Sequence, residues 1–190
     1  MRTFIAIELP KEIKETLGLL QEELKKSGAD VKWVSPSNIH LTLKFLGEID
    51  AKKLNKLNEI LENVALKQSP FSLGIKGIGV FPNLNSPRVI WVGVEKGDEE
   101  TKRIAAILEE EIAKIGIPKE RRPYSTHITL GRLRSGVNRM KLLEQLNYLK
   151  DKSEKINLEF TVKKITLLKS TLTPQGPIYE ILKEANLKTT

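Results

Sequence analysis

The chain has 190 residues, of which 39% are hydrophobic and 29% charged, an ordinary soluble profile with enough length to bury one real core. It contains no cysteine, which excludes disulfides, zinc-thiolate sites and cysteine nucleophiles. Its apolar stretches, such as 89–94, fall far short of a membrane span, and the net charge of +8 leans toward a polyanionic partner.

Positions 2–8 alternate as a strand with a charge in it, and do not read as a secretory leader. Pro10 then opens a helical run with Ile13, Leu17, Leu20 and Leu24 on one face, stopping near Ser27 and Gly28. A short extended piece at 31–34 and turn chemistry at 35–38 lead into a strand over 39–49. The spacing predicts an amphipathic helix over 52–66, with Leu54, Leu57, Ile60, Leu61 and Val64 inward. Positions 71–81 and 88–95 form a hairpin-like pair of strands. A helix over 98–115 follows, with Asp98 as its N-cap and Gly116 as its stop. A strand over 126–134, a helix over 140–150, one long strand over 158–172 and a closing strand over 178–185 complete the chain. The expectation is an α+β fold of antiparallel sheets backed by helices. The chain is read as a single bilobal domain, 1–190, with two related lobes.

That pairing of lobes rests on the histidines. The chain has two, and both stand in one four-residue frame: His40-Leu41-Thr42-Leu43 and, about half a chain later, His127-Ile128-Thr129-Leu130. Side chains two apart on a strand share a face. His40 and Thr42 therefore point one way while Ile39, Leu41, Leu43 and Phe45 point into a core. His127 and Thr129 share a face in the same manner. Two imidazoles and two hydroxyls across a cleft suit displacement at phosphorus. One imidazole takes a proton from the attacking water and the other gives one to the departing oxygen. The hydroxyls bind the non-bridging oxygens. A metal pair is the competing chemistry, but no acidic residue falls inside either frame to complete a ligand set, so neither metal nor cofactor is expected.

Arginines 121, 122, 132, 134 and 139 crowd around the second frame, and their planar forks suit phosphate oxygens. Arg132 lies in the wrong register for the cleft unless Gly131 marks a bulge. Lys44 follows Thr42 in the site-facing register as a second cationic contact or a solvated lysine. Tyr124 is placed to stack a base or ribose. Trp33, Phe81 and Trp91 are placed to do the same or to pack in the core.

These residues resemble the two-histidine phosphoesterase superfamily. The stretch Asn38-Ile39-His40-Leu41-Thr42-Leu43-Lys44-Phe45-Leu46-Gly47 is similar to the first motif of the archaeal and bacterial RNA 2′,3′-cyclic phosphodiesterases, also called 2′-5′ RNA ligases. Pro123-Tyr124-Ser125-Thr126-His127-Ile128-Thr129-Leu130-Gly131-Arg132 is similar to their second, although Thr126 stands where many members have proline. The resemblance implies pseudo-symmetric lobes with the cleft between their sheets. It implies that His40 donates a proton to the ribose 3′ oxygen, that His127 accepts one from water, and that Thr42, Thr129 and Arg132 hold the phosphate. The implied substrates are RNA ends bearing a 2′,3′-cyclic phosphate, as in tRNA processing, or related cyclic nucleotides. The implied product is a 2′-phosphate. The same residues serve the reverse 2′-5′ ligation by microscopic reversibility. A non-catalytic RNA-end binding module is the alternative. A cytoplasmic, monomeric protein is expected, and abundant Lys, Glu and Ile fit a heat-adapted source.

Overall fold

A computed structural model describes residues 1–153 and 158–189. Its first sheet has strand order β3-β1-β8-β9, with β1 at Arg2–Glu8, β3 at His40–Glu48, β8 at Lys164–Thr173 and β9 at Gly176–Asn186. The second has order β2-β6-β5-β4-β7, with β2 at Val31–Trp33, β4 at Phe71–Phe81, β5 at Val89–Val94, β6 at His127–Leu133 and β7 at Leu158–Val162. Every pairing in both sheets is antiparallel. Four α-helices, α1 Lys11–Lys25, α2 Ala51–Leu66, α3 Asp98–Ala113 and α4 Arg139–Ser153, and a 3-10 turn at Pro36–Asn38 complete the described fold.

The α+β architecture and the two lobes follow the sequence expectation, but the lobes are not the two halves of the chain. In each sheet the histidine strand pairs with the first strand of its own half, β3 with β1 and β6 with β5. The next strand over comes from the other half, β8 in the first sheet and β4 in the second. Helices cross as well. α1 follows β1 but reaches the second sheet, where Gln21 bonds the Leu130 carbonyl, and α3 follows β5 but packs on β3. One apolar cluster, from Ile5 and Leu41 through Ile90 and Ile128 to Ile165, runs under both sheets. The exchange of strands places both inner faces over that shared core.

Three local expectations are corrected. The single strand over 158–172 is two strands in different sheets, β7 beside β4 and β8 beside β1. Both stretches have strand chemistry, so nothing local signals the change of sheet at Lys163. Gly97, at φ 81°, is the N-cap of α3, and Asp98 is the first helical residue, where its carboxylate takes Lys102 at 2.8 Å. Glycine carries the left-handed turn without a Cβ penalty. Phe45 is 55% exposed instead of core-facing, because β3 bulges. Ile5 pairs with Lys44 and Ala6 with Thr42, which leaves Leu43 as an extra residue and reverses the alternation beyond it.

Candidate active site

The two histidine frames line one cleft of about 1980 Å³ between the sheets, with His40, Thr42, His127 and Thr129 all on its walls. Each frame is built in the same way. Leu41 and Leu43, like Ile128 and Leu130, are buried and anchor the strand, while the imidazole and hydroxyl that alternate with them stay half-buried on the open face. The Nδ1 of His40 lies 2.7 Å from the carbonyl oxygen of Asn38, and that of His127 lies 2.8 Å from the carbonyl oxygen of Ser125. A carbonyl can only accept, so Nδ1 carries the hydrogen in both rings and Nε2 is the proton-exchanging atom. Thr42 Oγ1 lies 2.8 Å from His40 Nε2.

The surroundings differ. His40 lies between Phe4, with ring centroids 4.8 Å apart, and Tyr179, edge-on at 5.5 Å. Phe4, Ala6 and Leu168 form a small apolar floor with Tyr179 packed on it. Phe81 meets His127 edge-on at 5.1 Å, and Phe81 and Trp91 lie 5.0 Å apart. Burial lowers both histidines below their ordinary pKa. For His40 the Asn38 carbonyl and the Glu8 charge oppose that shift and Lys14 adds to it. For His127 the Ser125 carbonyl opposes it and the Arg132 guanidinium adds to it.

The second frame bulges at the position equivalent to the bulge in the first. Ile90 pairs with Gly131 and Trp91 with Thr129, so Leu130 is the extra residue, as Leu43 is in β3. The bulge turns Arg132 onto the cleft wall, and Phe45 takes the corresponding place in the first frame. A Cβ at position 131 would come within 2.7 Å of Val31 Cγ1 and 3.0 Å of Trp33, so glycine there permits the close approach of β2. A buried polar side chain from a crossing helix holds the second bulge: Gln21 Nε2 donates to the Leu130 carbonyl at 2.9 Å and to the Val34 carbonyl at 2.7 Å.

Lys44 borders the cleft but is not solvated. It is 2% exposed, and Nζ reaches Glu109 Oε1 on α3 at 2.6 Å and the Pro118 carbonyl at 3.3 Å. Glu109 Oε2 accepts from the Glu120 N–H at 3.1 Å. Tyr124 lines the cleft, and its hydroxyl donates to the Thr42 carbonyl at 2.8 Å, on the free edge of β3. Burial pushes that phenol well above its ordinary pKa. Tyr124 and the Lys44–Glu109 pair therefore tie the first frame to the segment that delivers the second. Trp33 and Phe81 line the cleft, and the Trp91 ring lies over Gly79, where a Cβ would come within 2.5 Å.

Sequence reasoning missed Phe4, Tyr179 and Gln21, each brought to the site by strand or helix packing with no local signal. It also missed Asn38 and Ser125, which act through backbone carbonyls that any residue type supplies. Among the described residues, no group of three His, Cys, Asp or Glu side chains could hold a metal ion, and no helix is long and apolar enough to cross a membrane.

Comparison with known proteins places this architecture. The LigT-like phosphoesterase family matches the chain twice, over residues 7–91 and 92–179, and each match contains one histidine frame. The chain is 42% identical over 184 residues to the RNA 2′,3′-cyclic phosphodiesterase of Methanocaldococcus jannaschii, covering 97% of this chain and 99% of that one. It is 37% identical over 189 residues to the Thermotoga maritima protein of the same name, covering 99% and 96%. Among solved structures, TT0787 of Thermus thermophilus superposes with a TM-score of 0.82 at 29% identity, covering 99% of this chain and 98% of that one. E. coli LigT complexed with 3′-AMP superposes with a TM-score of 0.76 at 28% identity, with the same coverage. The doubled match, the near-complete coverage and the shared fold make this chain a member of the LigT-like phosphoesterase family.

Proposed function

We propose that this protein hydrolyses the 2′,3′-cyclic phosphate at an RNA end to a 2′-phosphate, without a metal. The observation that carries this reading is that both frames line one cleft with Nδ1 tied to a carbonyl, so each imidazole offers Nε2 to a ligand between them. The activity for which the relatives are named supports the same substrate. Water attacks phosphorus and passes a proton to His127 Nε2. The bond from phosphorus to the 3′ oxygen breaks, and His40 Nε2 gives that oxygen its proton. Thr42, Thr129 and Arg132 face the non-bridging oxygens, where negative charge is held through the displacement. Tyr124 borders the ribose or base. Ligation through a 2′-5′ bond is the same path run backwards, with a 5′-hydroxyl RNA in the place of water. A cytoplasmic, monomeric working form belongs to this reading.

The test is turnover of a 2′,3′-cyclic nucleotide and a cyclic-ended oligonucleotide in excess chelator, with the product phosphate position identified. Sustained hydrolysis to the 2′-phosphate is expected. His40→Ala and His127→Ala should each lower turnover at least about 100-fold. Loss of activity on adding chelator would overturn the metal-free chemistry. Binding by wild type and both variants with no turnover by any of them would mark an RNA-end binding module. Adding a 5′-hydroxyl RNA reads out ligation.

A further inference from the structure

We propose that the cleft takes an RNA chain and not only its last nucleotide, with the phosphates upstream of the reacting end running along Arg132, Lys32 and Arg134. This rests on the function proposed above and deepens it. The first observation is how the positive charges are distributed. Among the described residues every ion pair is made by a lysine or by the terminal amine, and none by an arginine. Four lysines on the cleft wall, Lys25, Lys44, Lys102 and Lys119, are each neutralised by a carboxylate. Arg2, Lys32, Arg122, Arg132 and Arg134, which also line it, have no carboxylate partner among the described residues. All five are exposed, and unpaired cations gathered on a concave wall attract a polyanion.

The second observation is register. Lys32 on the edge strand β2 stands directly opposite Arg132 on β6, and opposed residues of an antiparallel pair project from the same face. Arg134 follows two positions later, about 7 Å farther along the chain direction, and its N–H bonds the Asp30 carbonyl at 2.8 Å in continuation of the same ladder. Reading along β6 from the catalytic end, the open face carries His127, Thr129, then Arg132 beside Lys32, then Arg134. That spacing is comparable to successive phosphates of a single strand. The volume, about 1980 Å³, exceeds the roughly 300–1,000 Å³ typical of a single small-molecule site.

The experiment compares kcat/KM on a 2′,3′-cyclic mononucleotide and on cyclic-ended di-, tri- and pentanucleotides without any acceptor RNA. Wild type should gain on the order of tenfold or more from mono- to trinucleotide. Lys32→Ala and Arg134→Ala should each lose about fivefold or more on the trinucleotide, the scale of a charge-assisted contact, with the mononucleotide rate unchanged. Each should also flatten the salt dependence of trinucleotide binding by about 0.7 in log–log slope. Wild-type rates indifferent to length, or variants losing equally on every length, would overturn the track. The same lengths ending in a 2′-phosphate, read by fluorescence anisotropy, test it independently of turnover, and a Kd flat across the series also overturns it. Absence of hydrolysis on all lengths alongside length-dependent binding would sink the proposed chemistry and leave the track standing.

Discussion

In each histidine frame a carbonyl two residues upstream fixes Nδ1, and the charged neighbours then make the two rings unequal. Glu8 raises the pKa of His40 and Lys14 lowers it, while Arg132 lowers that of His127. A reaction needing one ring protonated and one neutral peaks midway between their two pKa values. Both lie below the ordinary 6.5 because of burial, so the kcat/KM optimum should fall below pH 6.5. Arg132→Met removes the cation beside His127 and should move one limb of the profile to higher pH. Glu8→Gln removes the anion near His40 and should move the other limb to lower pH. Initial rates across pH 4.5–8.5 (about four units, spanning the histidine range) check both shifts. Limbs that stay fixed in both variants would dissociate these rings from the titration.

At the scale of elements, the bulges at Leu43 and Leu130 decide what the cleft contains, because each reverses the side-chain alternation just beyond the threonine of its histidine frame. They deliver Arg132 and Phe45 to the open wall and send Lys44 inward to Glu109. Removing one partner of a buried pair leaves the other charge uncompensated, whereas removing both does not. Glu109→Leu, which strands the fully buried ammonium of Lys44, should cost about 3–5 kcal/mol. Lys44→Met should cost less, because Glu109 is partly solvated and keeps the Glu120 N–H. The double variant Lys44→Met/Glu109→Leu should recover most of the loss. Denaturant midpoints for the three proteins measure this, and strictly additive losses would contradict a coupled pair.

For the whole molecule, strand exchange between the lobes makes one core carry both histidines, so their titration is linked to global folding. Each has a folded pKa below 6.5, its unfolded value. Below pH 6.5 the unfolded chain therefore binds more protons than the native one. Stability is full above pH 6.5 and falls as pH drops from 6.5 through the lowered folded values. Denaturant midpoints at pH 8 and pH 5 should show this loss in wild type. A His40→Gln/His127→Gln variant should show a smaller one, and equal losses would place the acid sensitivity in the carboxylates instead.

The histidine frames, the apolar faces of α1 and α2, and the hairpin of β4 with β5 were legible in the chain. Periodicity and a duplicated motif are local properties, and local sterics and burial write them directly into residue order. Gly131 even flagged the bulge that turns Arg132. What only the tertiary structure decided is non-local. Lys44 reads as a cationic cleft contact or a solvated lysine until α3 brings Glu109 across β3. Phe45 reads as core until an extra residue in β3 shifts its register. The stretch over 158–172 reads as one strand because both sheets ask the same alternation of it. Tyr179 reaches His40 only through the order β3-β1-β8-β9. Strand order and register are set by which surfaces the whole core can bury together, and no window of neighbouring residues contains that sum.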